Sequence, residues 1–148
     1  MDTQEDDFSE ARTPSILRVS GGMGILAGAI MMLTGIQTLS GFVLSRRAFV
    51  GSIVLLVVGA GLAYAATTLM RARASGAILQ VTFAGIALLV SALWLLLSVA
   101  GGLVSLFGLA SPLLAAAALG LAIASLGPCD KVNTARRRLA EKGLELGV

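Results

Sequence analysis

The side chains able to carry acid–base, nucleophilic or metal chemistry are few in this sequence, and they gather at its ends. Its eight carboxylates are Asp2, Glu5, Asp6, Asp7 and Glu10 near the start and Asp130, Glu141 and Glu145 near the finish. No acid stands between Glu10 and Asp130, there is no histidine, and Cys129 is the single cysteine. A nucleophile needs a neighbouring base, and a zinc-type site needs three or four Cys, His or carboxylate ligands. Neither set can be assembled in the middle of the chain, so no catalytic residue, no cofactor and no metal is expected, and the chain reads as a non-enzyme. One thiol also excludes an intrachain disulfide and a CxxC redox pair. Cys129 follows Gly127-Pro128; an inert, half-buried thiol is one reading and palmitoylation the sharper one.

The polar groups left between the ends are amides and hydroxyls: Thr34, Gln37, Thr38, Ser52, Thr67, Thr68, Gln80, Thr82, Ser91 and Ser98. Surrounded by apolar residues, such groups act either as glue between helices, at roughly 0.6–2 kcal/mol per hydrogen bond, or as the lining of a pore. In the pore reading Thr34, Gln37, Thr38, Thr67 and Thr68 line it, and the lack of acids favours anions. The basic residues are spread in small clusters rather than along one face, which argues against nucleic acid despite the net charge of +3.

These residues have to be positioned by strongly apolar segments. Of 148 residues 57% are hydrophobic and 13% charged, about half of the roughly 25% charge of a soluble domain; mean hydropathy is +0.94. Four uncharged runs, 16–40 (after Arg18), 48–70, 77–100 and 103–127, approach the roughly 20 residues that cross a bilayer core. The fold class is therefore an all-α integral membrane protein, a four-transmembrane-helix bundle over residues 16–128, with an acidic, disordered tail at 1–15 and a basic, amphipathic tail at 129–148. The fourth run poses a choice: a helix from about Leu103 kinked at Pro112, or one starting at Ser111-Pro112 behind an interfacial segment. The kinked version is expected, closed by Gly127-Pro128.

Small residues mark packing faces. Gly21, Gly28 and Gly35 recur every seven residues with Gly24 between them. Ser52, Gly59 and Ala63 form a second stripe, and Ala84, Ser91 and Ser98 a third. Such stripes let helix backbones approach closely in lipid. Ile16–Ser20 aligns with Ile78–Thr82, and Ser40–Val43 with Gly101–Val104. Two tandem helical hairpins would leave these matches, as would chance similarity between Leu- and Gly-rich helices.

With the N-terminus inside, nine Lys/Arg residues face the cytoplasm and only Arg46 and Arg47 lie outside. The positive-inside rule thus predicts both termini in the cytoplasm, in what composition suggests is a bacterial inner membrane. Arg46, Arg47, Arg71, Arg73, Arg136, Arg137 and Arg138 are then headgroup contacts, and the segment bearing Val132, Ala135 and Leu139 on one face is either a short amphipathic helix against the membrane surface or a solvated basic tail.

Ser45-Arg46-Arg47-Ala48-Phe49-Val50 resembles a twin-arginine export signal, but it follows a complete hydrophobic run where such signals are N-terminal. Gly21-Gly22-x-Gly24 resembles the opening of the small four-helix fluoride channels; their later asparagine has no counterpart, since the sole one here is Asn133. The membrane-embedded glutamate on which small multidrug exporters rely is also missing. The expected function is an accessory or assembly subunit of a larger membrane complex, or a self-associating scaffold, whose partners are the lipid bilayer and other subunits or copies of itself. The alternative is a small homo-oligomeric channel or carrier.

Overall fold

The computed structural model describes residues 12–40, 46–73, 75–101 and 105–141. Among them are five helices and no strand: α1 Ser15–Ser40, α2 Arg46–Met70, α3 Gly76–Ala100, α4 Leu106–Ala124 and α5 Leu126–Glu141. The first four are long and apolar enough to cross a membrane. Helices suit such sequences because each backbone N–H and C=O finds its partner inside the segment, where lipid offers none. The acidic tail expected at 1–15 falls mostly outside the described residues, as do Leu103 and Val104 and the end of the basic tail.

Short connections make consecutive helices antiparallel neighbours, and α1 also packs against α4, so the four close into a ring. The α1–α2 pair is the most extensive contact. Its register is set where glycines meet the partner backbone: Gly21 faces Ala66 and Met70, Gly28 faces Gly59 and Ala63, and Gly35 faces Ser52 and Leu55. Ala27, Met31, Leu55, Leu62, Ala84, Ala87, Ala115 and Ala118 fill the centre.

The fourth helix differs from the 103–127 expected at both ends. It begins at Leu106, where the Ser105 side chain accepts the Gly108 N–H at 3.0 Å, a standard N-cap that Ser111 would have duplicated. Pro112 lies inside the helix, as in the continuous version. Gly127-Pro128 does not close it. The break comes at Ser125, whose hydroxyl donates to the Leu121 carbonyl at 2.7 Å, and Gly127-Pro128 sits in the first turn of α5. Proline is tolerated there because first-turn N–H groups have no intrahelical partner to lose.

Between α2 and α3 the chain turns in a Schellman-type cap. Arg73 N–H bonds to the Thr68 carbonyl at 3.3 Å and Ala72 N–H to that of Leu69 at 2.8 Å. Ala72 occupies the left-handed position, φ 50°, which glycine usually fills.

α5 folds back on this end of the bundle. Its apolar side, Cys129, Val132, Ala135 and Leu139, is buried, with Cys129 and Val132 packed among Leu17, Leu69, Ala72 and Ala77 from α1, α3 and the α2–α3 turn region. That face was expected to lie on headgroups or in solvent. The bundle end covers it instead, because four helix ends leave apolar side chains that no other part of the described chain shields.

Candidate functional site

The candidate packing residues can be placed one by one. Gly21, Gly24, Gly28 and Gly35 are all buried on α1. A Cβ on Gly28 would lie 2.6 Å from the Gly59 carbonyl oxygen, and one on Gly59 would lie 2.7 Å from the Gly28 oxygen. The two backbones are thus in mutual contact, closer than any side chain permits. Ser52 and Gly59 are buried on α2, with Ala63 half-buried beside Gly28. Ala84 and Ser91 are buried on α3, while Ser98 is only half-buried. These small residues are consumed by packing within the chain, chiefly α1 on α2.

Gly24 has a distinct task. A Cβ there would sit 2.7 Å from the Gln80 amide nitrogen and 2.8 Å from the Ala66 methyl. The gap admits the Gln80 side chain from α3, which donates to the Ser20 carbonyl at 2.8 Å and lies 3.4 Å from the Ser20 hydroxyl. Gln80 is fully buried, and its Oε1 has no hydrogen-bond partner. It therefore ties the two helices that face each other across the ring. An amide at this position was visible in the sequence; its partner, a main-chain carbonyl, was not, since any helix offers many.

The pore-lining candidates do not converge. Thr34 and Thr38 hydroxyls donate to the carbonyls of Ile30 and Thr34 on their own helix, and Thr68 does the same to Ala65. Gln37 and Thr67 are exposed on the bundle's outer surface. The α1 members lie toward the Ser40 end, opposite the end that Thr67 and Thr68 occupy.

The basic residues fall at two ends. Arg71 and Arg73 are exposed in the turn after α2, and Arg137 and Arg138 are exposed on α5. Arg136 is half-buried and donates to the Arg71 carbonyl at 3.4 Å, fastening α5 to the turn. Arg46 and Arg47 open α2 at the opposite end; their side chains lie outside the described part. Cys129 is buried. Its thiol donates to the Arg73 carbonyl at 3.6 Å and lies 3.5 Å from the Asn133 amide nitrogen. Burial pushes the thiol above its ordinary 9.0, against weaker opposite pulls from the Ala77 N–H and Asn133.

Sequence reasoning missed one feature. Val50, Gly51 and Val54 on α2 and Leu93, Trp94 and Leu97 on α3 line an open apolar groove of about 660 Å³. The Trp94 ring rests on the space left by Gly51. Only Gly51 hinted at it, and a glycine in an apolar helix does not name the ring that covers it. No family model, curated protein or solved structure matches this chain.

Proposed function

We propose that this chain is a non-enzymatic tetraspan subunit of a membrane assembly, holding a helix of another subunit or of a second copy against α3. In this reading it resides in a bacterial cytoplasmic membrane with α5 and both termini in the cytoplasm, the orientation that puts nine basic residues inside and two outside. The observation that carries the reading is uneven burial among the four spans. In an 18-residue apolar stretch of α1, 39% of the residues are buried within the chain; in the corresponding stretch of α3, 17%. Leu89 is 73% exposed and Leu96 68%. With Ile86 and Leu93 they alternate spacings of three and four, the seam spacing of a helix packed lengthwise on another. The glycine stripes, which first suggested a partner, are spent inside the bundle, so the partner surface moves to α3.

The pore reading draws no support from the placement of its lining residues, which are split between the two ends and partly on the outer surface. The assembly reading is tested by mild extraction from the native membrane, native electrophoresis and mass spectrometry of the band. In parallel, Leu89→Cys and Leu96→Cys are made in a Cys129→Ser background and cross-linked in the membrane, with Val57→Cys on α2 as control. A cross-linked partner or dimer at Leu89 and Leu96 but not at Val57 is expected. A chain that migrates alone and cross-links at none of the three sinks the reading.

A further inference from the structure

A cavity of about 160 Å³ lies between the first turn of α3 and one face of α5. It is smaller than the roughly 300–1,000 Å³ of sites for drug-sized ligands, so it takes a small polar group. Asp130, Asn133, Thr134 and Arg137 line it from α5, at offsets of three, four and seven that share a helix face. Their order along the helix sorts the chemistry. Asp130 brings carboxylate oxygens. Asn133 donates its amide N–H to the Cys129 carbonyl at 2.8 Å, which leaves its Oδ1 as a second acceptor at the same end. Further along, Thr134 and Arg137 bring a hydroxyl and a guanidinium. One end of the cavity thus accepts hydrogen bonds around a negative charge, and the other donates them around a positive one.

Asp130 and Arg137 stand about 10.5 Å apart along the helix axis at 1.5 Å per residue, and no ion pair joins them. A lone anion would be repelled by Asp130 and a lone cation by Arg137, so the fitting occupant carries both signs. The apolar wall says where it comes from. Ile78, 64% exposed, and Leu126, 39% exposed, edge the cavity, and Ile78 belongs to a helix long and apolar enough to cross a membrane. We propose that the cavity holds the headgroup of phosphatidylethanolamine, its phosphate at Arg137 and Thr134, its ammonium at Asp130 and Asn133, and its chains over Ile78 along α3. A trimethylated ammonium has no N–H to give the two acceptors, which selects ethanolamine over choline. This inference rests on the membrane location alone and stands apart from the subunit reading.

The full chain is delipidated in mild detergent and titrated with phosphatidylethanolamine, phosphatidylcholine or phosphatidylglycerol, and the one-lipid complex is counted by native mass spectrometry. Phosphatidylethanolamine is expected to bind severalfold more tightly than either of the others. Arg137→Gln should weaken its binding about fivefold, the effect of one interfacial cation. Arg138→Gln makes the same charge change at an exposed position outside the cavity and should leave binding unchanged. Asp130→Asn should abolish the preference for ethanolamine over choline. Circular dichroism and slow maleimide labelling of Cys129 check that α5 is still docked in each variant before it is scored. Equal or tighter binding of phosphatidylcholine or phosphatidylglycerol, or equal losses in the Arg137 and Arg138 variants, would mean general surface attraction and overturn the proposal. So would displacement of the lipid by an equal concentration of glycerophosphoethanolamine, the headgroup without its chains, because the ligand would then be a soluble zwitterion.

Discussion

At single positions, the α1–α2 contact shows how much structure depends on a missing methyl group. Gly28→Ala places a Cβ 2.6 Å from the Gly59 carbonyl oxygen, a main-chain atom that cannot rotate away. Helix propensity favours alanine by about 1 kcal/mol, but overpacking of this kind costs about 1–3 kcal/mol, so the clash wins and the variant should lose stability. Gly22→Ala, Gly85→Ala and Gly120→Ala meet nothing within 4 Å and should be neutral or slightly stabilising. Unfolding in mixed detergent–SDS micelles would rank them, and equal behaviour of Gly28 and Gly22 variants would refute the register. Gln80 poses the opposite balance. Its bond to Ser20 contributes about 0.6 kcal/mol by the membrane average, while a buried acceptor without a partner, here Oε1, costs about 1–3 kcal/mol. Gln80→Met keeps the volume and removes both. It is expected to be at least as stable as the wild type, whereas Gln80→Ala should lose about 2 kcal/mol or more by opening a cavity.

Among the elements, α5 is the part whose role changed most between sequence and structure. Its apolar stripe of Val132, Ala135 and Leu139 was legible from helical spacing, since residues three and four apart share a face. What that face meets was not legible, because a bundle end and a membrane surface both attract an amphipathic helix. Docking has a direct readout in Cys129, on the buried face of α5, its thiol pushed above 9.0 by desolvation. At neutral pH a maleimide should react slowly with the native chain. Val132→Asp, which puts a charge among Leu17, Leu69 and Ala72, should release α5 and speed the reaction severalfold; fast labelling of the native chain would contradict the docked arrangement. The sign of the pH effect follows from the raised value. The native state holds the thiol proton more tightly than the unfolded chain, so this contribution is complete below about 9 and is lost as pH rises through the native value. The turn under α5 offers a second check. Ala72 at φ 50° bears about 1–2 kcal/mol of left-handed strain, against roughly 0.8 kcal/mol for its buried methyl. Ala72→Gly should therefore be neutral or mildly stabilising, and Ala72→Val, β-branched in that conformation, clearly destabilising by thermal unfolding in detergent.

Over the whole molecule, the four spans were legible because length and apolarity decide them without reference to neighbours. The arrangement of the spans was less so. Gly21, Gly24, Gly28 and Gly35 define one face of α1, but periodicity gives only the angle of a face and not the helix opposite it; the structure supplies α2 for most of it and Gln80 of α3 at Gly24. For the same reason the Trp94 groove, lined from two helices, has no signature in either alone. Charge placement is the property that spans the whole chain, and it yields the last prediction. The start of α1, the α2–α3 turn and α5 share one end of the bundle, so orientation is a single choice for all of them. That end carries nearly all the basic residues, and moving it across a bilayer is opposed by each of them. In cells expressing a Cys129→Ser background, Ser45→Cys should react with a membrane-impermeant maleimide added outside. Glu141→Cys should react only after permeabilisation. The reverse pattern would place α5 outside, and a chain labelled at both sites in intact cells would mean that charge does not fix its orientation.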